Sequence, residues 1–189
     1  MCGFTGYHYL DSRRETNNQA IRQMLAIQKH RGPDDSGIVA INTQNKAFET
    51  VAIDTDASFQ TENDVVLGFN RLSILDLSPM GHQPMISPDQ KVILIMNGEI
   101  YNAFDFKAEL EQKGHTFKST SDTEIVLHLY LEYGIKKMIR LLNGMFAMAI
   151  YDLNLDTLFL ARDRFGIKPL YILKEEGRIA FASEMKSFK

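Results

Sequence analysis

Cys2 is the residue whose position most directly suggests chemistry. It is the single cysteine of the chain and follows Met1 directly. Removal of Met1, which a small second residue favours, would leave the thiol beside its own α-amine. That amine has an ordinary pKa of about 7.7–8.0 and a free thiol one of about 8.5, so both titrate near neutral pH. This arrangement predicts an N-terminal nucleophile with a built-in base, although a lone cysteine is more often a small buried hydrophobic residue.

The pair Asn97-Gly98 follows an apolar run at residues 92–96 and allows two interpretations. One is a turn that ends a strand, because Asn-Gly favours positive φ. The other is an oxyanion site, in which the Asn97 amide and the Gly98 backbone N–H donate to one oxygen. The residues alone do not decide between them.

Arg71 and Asp122 could together recognise an α-amino acid. Arg71 lies within an apolar stretch, where an arginine is costly unless it is paired. It either forms a structural ion pair, for instance with Asp76, or grips a substrate carboxylate. Asp122 precedes a predicted helix, so it either caps that helix, as Ser121 also could, or holds a substrate ammonium group.

Composition narrows the class of protein. The chain has 189 residues, 44% of them hydrophobic and 24% charged, with a formal net charge of −3. These values are typical of one globular domain and give no electrostatic reason to expect nucleic acid. No apolar run approaches the roughly 20 residues of a membrane helix, and no secretory signal is present. We therefore expect a cytoplasmic protein without a membrane partner.

The cysteine and histidine content argues against metal and disulfide frameworks. One cysteine excludes both a disulfide and a cysteine-based zinc site. The five histidines are scattered, without a spacing of the H-x-H or H-x-x-x-H type. The sequence therefore predicts no metal site.

Hydrophobic periodicity and turn residues divide the chain into alternating elements. Helices are predicted at residues 16–29, 103–113, 122–133 and 135–142. Strands are predicted at residues 3–8, 36–42, 46–53, 65–74, 91–96, 145–152, 157–162, 169–174 and 178–182, and an exposed acidic loop at 54–64. Strands outnumber helices, and the helices fall into two groups, which favours two antiparallel sheets covered by helices.

Eight short motifs occur in a fixed order and together resemble a known family. They lie at residues 1–3 (MCG), 30–34 (HRGPD), 71–74 (RLSI), 81–84 (GHQP), 97–102 (NGEIYN), 121–124 (SDTE), 162–171 (RDRFGIKPLY) and 182–186 (ASEMK). This set resembles the N-terminal glutaminase domain, a class II glutamine amidotransferase, of glutamine-hydrolysing asparagine synthetases. The resemblance covers essentially all of residues 1–189. The versions of the motifs at 99–101 and 166–171 favour this branch over those that make glucosamine phosphate or phosphoribosylamine.

The resemblance implies a fold and a set of site residues. The fold is α+β, a four-layer α/β/β/α sandwich of two antiparallel sheets, as in N-terminal-nucleophile hydrolases. The implied roles are a Cys2 nucleophile, an oxyanion hole at Asn97 and Gly98, and a carboxylate-binding Arg71. The backbone of Leu72, Ser73, Ile74 and Leu75 would line the site, and Glu99 and Asp122 would hold the α-amine of glutamine.

The resemblance also implies an activity and its partners. Glutamine would be hydrolysed to glutamate and ammonia through a γ-glutamyl thioester on Cys2. In the parent enzyme, a C-terminal synthetase domain uses ATP and magnesium to amidate aspartate to asparagine with that ammonia. This chain lacks the pyrophosphate-binding Ser-Gly-Gly-x-Asp-Ser loop. We therefore expect no cofactor here and a fragment of a longer protein rather than a free-standing domain, with homodimerisation left open.

Two alternative functions stay open, and the sequence departs from the family pattern at two places. The same chemistry could serve another acceptor, such as a sugar carboxylate, or the domain could bind glutamine without catalysis, with Met1 retained. The stretch at residues 43–64 is longer than usual for the family. Phe69-Asn70 replaces the more usual Gly-His type of pair before Arg71.

Overall fold

The computed structural model of the chain describes residues 1–11, 14, 16–51, 53 and 58–189. Within them the strands are β1 (Gly3–Tyr9), β2 (Asp35–Asn42), β3 (Ala47–Val51), β4 (Val65–Arg71), β5 (Met85–Ile86), β6 (Val92–Ile100), β7 (Gly144–Asp152), β8 (Thr157–Arg162), β9 (Tyr171–Glu175) and β10 (Arg178–Ala182). The helices are α1 (Gln19–Ile27), α2 (Lys107–Gln112) and α3 (Asp122–Leu141). None of these helices is long and apolar enough to cross a membrane.

The strands form two sheets in which the described pairings are antiparallel. The larger sheet has the order β3-β2-β4-β1-β10-β9 and the smaller has the order β5-β6-β7-β8. β1 is central in the larger sheet, where Gly3 lies opposite Asn70 of β4 and Thr5 lies opposite Ala182 of β10. The residue that precedes β1 therefore emerges beside the end of β4.

Apolar side chains form three clusters between the four layers of the fold, which are two sheets and the helices on their outer faces. Phe4, Phe69 and Ile95 belong to the cluster between the two sheets. Ile21 of α1 packs on the outer face of the larger sheet, and Ile125 of α3 packs on the outer face of the smaller one. The predicted α/β/β/α sandwich of two antiparallel sheets is confirmed.

β6 has both faces buried, which explains its continuous apolar run. Ile93 and Ile95 face the inter-sheet cluster, whereas Leu94 and Met96 face the helix layer. A half-exposed strand would alternate polar and apolar residues, but a strand covered on both sides does not.

The predicted end of this strand at residue 96, before Asn97-Gly98, is wrong. β6 continues to Ile100, and Asn97 and Gly98 pair with Ala147 and Phe146 of β7. A Cβ added to Gly98 would lie 2.3 Å from the Met145 carbonyl oxygen. Glycine is therefore needed here because two strands approach closely, and the turn interpretation of Asn97-Gly98 is excluded.

The helix predictions hold in type but differ at their ends. α1 begins at Gln19 instead of residue 16, and the helix predicted at 103–113 is a 3-10 turn at Ala103–Phe106 followed by α2. The predicted break between two helices lies at Gly134, whose φ of 66° interrupts α3. Only glycine adopts that conformation without strain.

The predicted exposed loop at residues 54–64 is confirmed for Ser58 and residues 60–62 but wrong for three other described residues. Residues 54–57 lie outside the described residues, but Phe59, Asn63 and Asp64 are buried. The Asp64 carboxylate accepts from the Thr43 backbone N–H at 2.9 Å. The acidic composition suggested solvent exposure, whereas this carboxylate caps the adjacent β2–β3 turn.

Candidate functional site

A cleft opens at the end of the sandwich where β1 begins and where β4 and β6 end. Predicted site residues line it, namely Cys2, Arg71, Leu72, Ile74, Leu75, Gly98, Glu99 and Asp122. Ser73 and Asn97 are not part of the lining. The Ser73 backbone N–H donates to Asp34 at 2.8 Å. Eight of the ten predicted site residues therefore lie together on one concave surface, although they come from four separate parts of the chain.

The Cys2 thiol sits against the backbone of Leu72. Its Sγ lies 3.4 Å from the Leu72 N–H, which donates to it, and 3.6 Å from the Leu72 carbonyl oxygen. Burial raises the pKa of the thiol above its ordinary value, against the opposing effects of the Leu72 N–H, the N-terminal ammonium group and Arg71. The thiol therefore needs a base near neutral pH.

Asn97 supplies a buried side-chain donor. Its side chain is on the inter-sheet face of β6, on the same side as Ile95, and the residue is 1% exposed. Among the described residues its Nδ2 has no hydrogen-bond partner. Such a group costs about 1–3 kcal/mol when it stays unpaired, so its retention points to a ligand atom.

The Gly98 N–H is directed into the cleft by the alternation of the β6–β7 ladder. The opposite residue, Phe146, uses both its N–H and its carbonyl on Asp163, away from β6. Gly98 and Phe146 are therefore a non-hydrogen-bonded pair, and the Gly98 N–H faces the other edge of β6. Along that edge the Met96 N–H donates to Gln83 and the Ile100 N–H to Asp122.

Arg71 is held by main-chain oxygens of the loop that follows it. Its Nη1 donates to the Ser78 carbonyl at 2.9 Å and its Nη2 to the Asp76 carbonyl. The predicted structural alternative, an ion pair with the Asp76 carboxylate, does not occur: that carboxylate accepts N–H groups instead. Each terminal nitrogen of the guanidinium carries a second N–H, so the group keeps donors for a carboxylate.

Asp122 does not cap α3. Ser121 is the N-cap, and its side chain accepts from the Thr123 N–H at 3.2 Å. Asp122 is 4% exposed and accepts from the Ile100 N–H at 2.8 Å. Its burial, with a smaller contribution from the negative charge of Glu99, raises the pKa of the Asp122 carboxyl. A buried carboxylate of this kind gains from a cationic partner such as an ammonium group.

Arg31 holds the main chain at Cys2, a role that the sequence did not reveal. Its Nε donates to the Cys2 carbonyl at 2.9 Å, and its Nη1 forms an ion pair with Glu184 at 3.1 Å. Both residues lie in motifs that carried the resemblance, 30–34 and 182–186, which was the available signal. Only the fold shows that they meet at Cys2.

Gln83 is a second residue that sequence reasoning did not single out. Its Oε1 accepts from the Met96 N–H at 2.7 Å, and its Nε2 donates to Thr123 Oγ1 at 3.3 Å. It thereby joins β6 to the start of α3 at the back of the cleft.

In the described part of the chain, no group of three or more acidic, histidine or cysteine side chains could hold a metal ion.

Comparison with known proteins agrees with this geometry. A family model described as a glutamine amidotransferase domain matches residues 40–189. The chain belongs to this family. The family prediction made from the eight motifs is therefore confirmed.

The curated relatives similar to this amidotransferase domain include asparagine synthetases. Asparagine synthetase [glutamine-hydrolyzing] 2 of Bacillus subtilis (strain 168) is 40% identical over 189 residues, which cover 99% of this chain and 22% of that protein. Asparagine synthetase [glutamine-hydrolyzing] 3 of the same organism is 35% identical over 189 residues, 99% of this chain and 27% of that protein. The chain thus spans about a quarter of the length of these relatives.

Solved structures agree with the fold of the amidotransferase domain. Glutamine phosphoribosylpyrophosphate amidotransferase from B. subtilis, complexed with ADP and GMP, superposes with a TM-score of 0.79 at 25% identity. The match covers 99% of this chain and 43% of that chain. The predicted membership of the N-terminal-nucleophile amidotransferase fold is confirmed.

Proposed function

We propose that this domain hydrolyses glutamine to glutamate and ammonia, with Cys2 as nucleophile. The observation that carries the proposal is the Cys2 thiol in a cleft that Gly98 also lines, with the buried and unpartnered amide of Asn97 next to Gly98 on β6. A thiol, a pair of oxyanion donors and charged side chains for an amino acid are the groups that amide hydrolysis of glutamine requires.

The charged residues would bind the α-carbon end of glutamine. Arg71 would hold the carboxylate through its remaining N–H groups, while Asp122 and Glu99 would hold the ammonium group. Leu72, Ile74 and Leu75 would line the side of the cleft nearest the thiol. The amide end of the substrate would then lie toward Cys2 and β6.

The α-amine of Cys2, free after removal of Met1, would act as the base. It takes the thiol proton, and the thiolate forms a bond to the amide carbon of glutamine. The oxyanion of the tetrahedral intermediate accepts hydrogen bonds from Asn97 Nδ2 and the Gly98 N–H. The amine returns the proton to the departing nitrogen, so that ammonia and a thioester form. Water, deprotonated by the same amine, then releases glutamate and restores the thiol.

The longer protein to which this chain would belong is proposed from its relatives. We infer that residues 1–189 are the glutaminase domain of an asparagine synthetase, and that a C-terminal domain uses ATP and magnesium to amidate aspartate. Ile74 and Leu75 line the cleft and are exposed apolar residues, which supports a face that another domain covers. We propose a cytoplasmic location for this protein.

The test is a product analysis with purified chain. Incubation with glutamine is expected to release equal amounts of glutamate and ammonia without ATP, magnesium or aspartate. Adding those three compounds is expected to yield no asparagine from residues 1–189 alone. Cys2→Ala is the control, and intact mass establishes whether Met1 has been removed.

Two outcomes would contradict the proposal. ATP-dependent asparagine formation by this chain would refute the assignment of domains. Failure to release glutamate from a chain whose Met1 is shown to be absent would refute hydrolysis and favour a glutamine-binding domain.

A further inference from the structure

Asp76 connects the two walls of the cleft, although no substrate contact is assigned to it. Its side chain is 6% exposed and lines the cleft beside Arg71. One carboxylate oxygen accepts from the Ser78 N–H at 2.7 Å, and the other accepts from the Thr120 N–H at 2.8 Å. Ser78 belongs to the loop after β4, whereas Thr120 belongs to the segment that leads into α3. Asp76 is therefore a bridge between two chain segments 44 residues apart.

On one side of this bridge lies the guanidinium of Arg71. The backbone carbonyls of Asp76 and Ser78 accept from its two terminal nitrogens, so the loop that Asp76 anchors also orients Arg71. Gly81 closes the same loop against it: a Cβ added there would lie 2.1 Å from Arg71 Nη2. A shift of this loop would therefore move the guanidinium with it.

On the other side lies the carboxylate of Asp122. Thr120, which Asp76 holds, precedes the N-cap Ser121, and Asp122 is the first residue of α3. The position of the Thr120 backbone thus helps to fix where the Asp122 side chain enters the cleft. The Ile100 N–H fixes the carboxylate from the β6 side.

We propose that Asp76 is a positioning residue that sets the separation of Arg71 and Asp122, the two groups that grip opposite charges of the amino acid. This inference rests on the proposed function and adds to it the origin of the selectivity for an L-α-amino acid. Asp76 acts through its neighbours and takes no part in the chemistry at Cys2.

The charge of Asp76 matters because both of its oxygens face N–H donors. Hydrogen bonds from Ser78, and then from Thr120, outweigh the effect of burial and lower the pKa of Asp76 to about 2. An asparagine side chain offers one oxygen and one NH2 group, so one N–H would face another donor. Asp76→Asn would therefore loosen one side of the bridge while it keeps the shape of the side chain.

The experiment compares how fast three reagents alkylate Cys2 in the protein. Two are the L- and D-forms of a diazo-ketone glutamine analogue, and the third is iodoacetamide, which carries no α-carboxylate or ammonium group. In Asp76→Asn the L-form is expected to react about 10- to 100-fold more slowly, because a misplacement of about 1 Å can cost about 10²-fold. The D-form and iodoacetamide are expected to react at the wild-type rates.

Two further variants keep the result interpretable. Asp152→Asn is the matched control: Asp152 is also buried and accepts N–H groups from Asn154 and Leu155, but it lies at the far end of β7. Its L-over-D rate ratio should stay at the wild-type value. Asp76→Glu keeps the charge and lengthens the bridge, so it tests the spacing if Asp76→Asn does not fold.

The outcomes separate this inference from the proposed function. If the wild type does not distinguish the L- from the D-form, the proposed glutamine site itself fails. If the wild type does distinguish them and both Asp76 variants keep the ratio, Asp76 does not position the charged groups. Equal slowing of all three reagents would also overturn the proposal, because it would indicate a general loss of structure.

Discussion

The turn at residues 163–168 and the cleft around Cys2 adjoin each other at one end of the smaller sheet, yet they treat buried polar groups in opposite ways. In the turn, Asp163 accepts four backbone N–H groups, from Phe146, Phe165, Ile167 and Lys168 at 2.9–3.2 Å. Although burial acts in the other direction, these donors hold the pKa of Asp163 below its ordinary value. Its carboxylate is therefore fully used within the protein.

The cleft leaves its polar groups incompletely satisfied. Burial raises the pKa values of Cys2 and Asp122, and Asn97 Nδ2 has no partner among the described residues. Each of these groups would gain from a substrate atom of opposite character. The comparison indicates that a carboxylate with all its hydrogen bonds inside the protein stabilises the fold. Groups that lack such partners are instead available to bind a ligand.

Cys2→Ala should distinguish most clearly between the catalytic role of the cleft and the structural role of the turn. Glutamine hydrolysis is expected to fall to background, because no other thiol exists in the chain. The free energy of unfolding should change by about 1 kcal/mol or less, as for small substitutions outside a satisfied network. Glutamate release and urea unfolding measure the two effects. Retained hydrolysis would show that the nucleophile lies elsewhere.

Asn97→Ala should lower kcat by about 10²- to 10³-fold, equivalent to about 2.7–4 kcal/mol, because an oxyanion donor acts mainly in the transition state. KM for glutamine should change little. Steady-state kinetics with glutamine distinguishes the two parameters. An increased KM at unchanged kcat would instead make Asn97 a substrate-binding residue.

Asp163→Asn should lower stability and leave the kinetics unchanged, whereas Asn97→Ala should lower kcat. Replacing one acceptor oxygen by an NH2 group sets donors against donors, which should cost about 2–4 kcal/mol of unfolding free energy. Below the thermal transition, both kcat and KM for glutamine should match the wild type. Thermal melting and kinetics at low temperature test this. A stable Asp163→Asn protein with impaired glutamine binding would contradict the assignment of a purely structural role to Asp163.

Asp122→Asn should change stability in the opposite direction from Asp163→Asn. Because folding raises the pKa of Asp122, its charged form opposes folding above that pKa. The neutral variant should therefore melt at a higher temperature at pH 7, with the difference vanishing at pH values below the ordinary pKa of aspartate. Its amide oxygen still accepts from Ile100.

The same Asp122→Asn variant should bind glutamine less well. KM should rise about 10- to 100-fold, since a hydrogen bond to a charged group contributes about 1.5–3 kcal/mol. In the wild type, glutamine binding should weaken as acid protonates Asp122. Melting curves and KM across pH measure both effects. A variant that is less stable and binds glutamine normally would make Asp122 a structural residue.

The sequence by itself determined the class of fold and most of the candidate residues. Period-two and apolar runs located the strands, and Gly134 located the break in α3, because these patterns depend on local backbone preferences. Residue type and position alone brought Cys2, Arg71 and Asp122 into consideration. The eight ordered motifs identified the family and added Glu99 and residues 72–75. The assignment of catalytic and binding roles to these residues stays a prediction.

Only the tertiary structure decided what Asn97-Gly98, Asp76 and Arg31 contact. Asn-Gly has a local preference for turns, but pairing with β7 across about 50 residues extends β6 through it. The carboxylate of Asp76 meets Thr120, and the guanidinium of Arg31 meets the Cys2 carbonyl, through contacts 44 and 29 residues apart. Local propensity carries no information on such distances, because the partners of a buried polar group are set by how the layers pack.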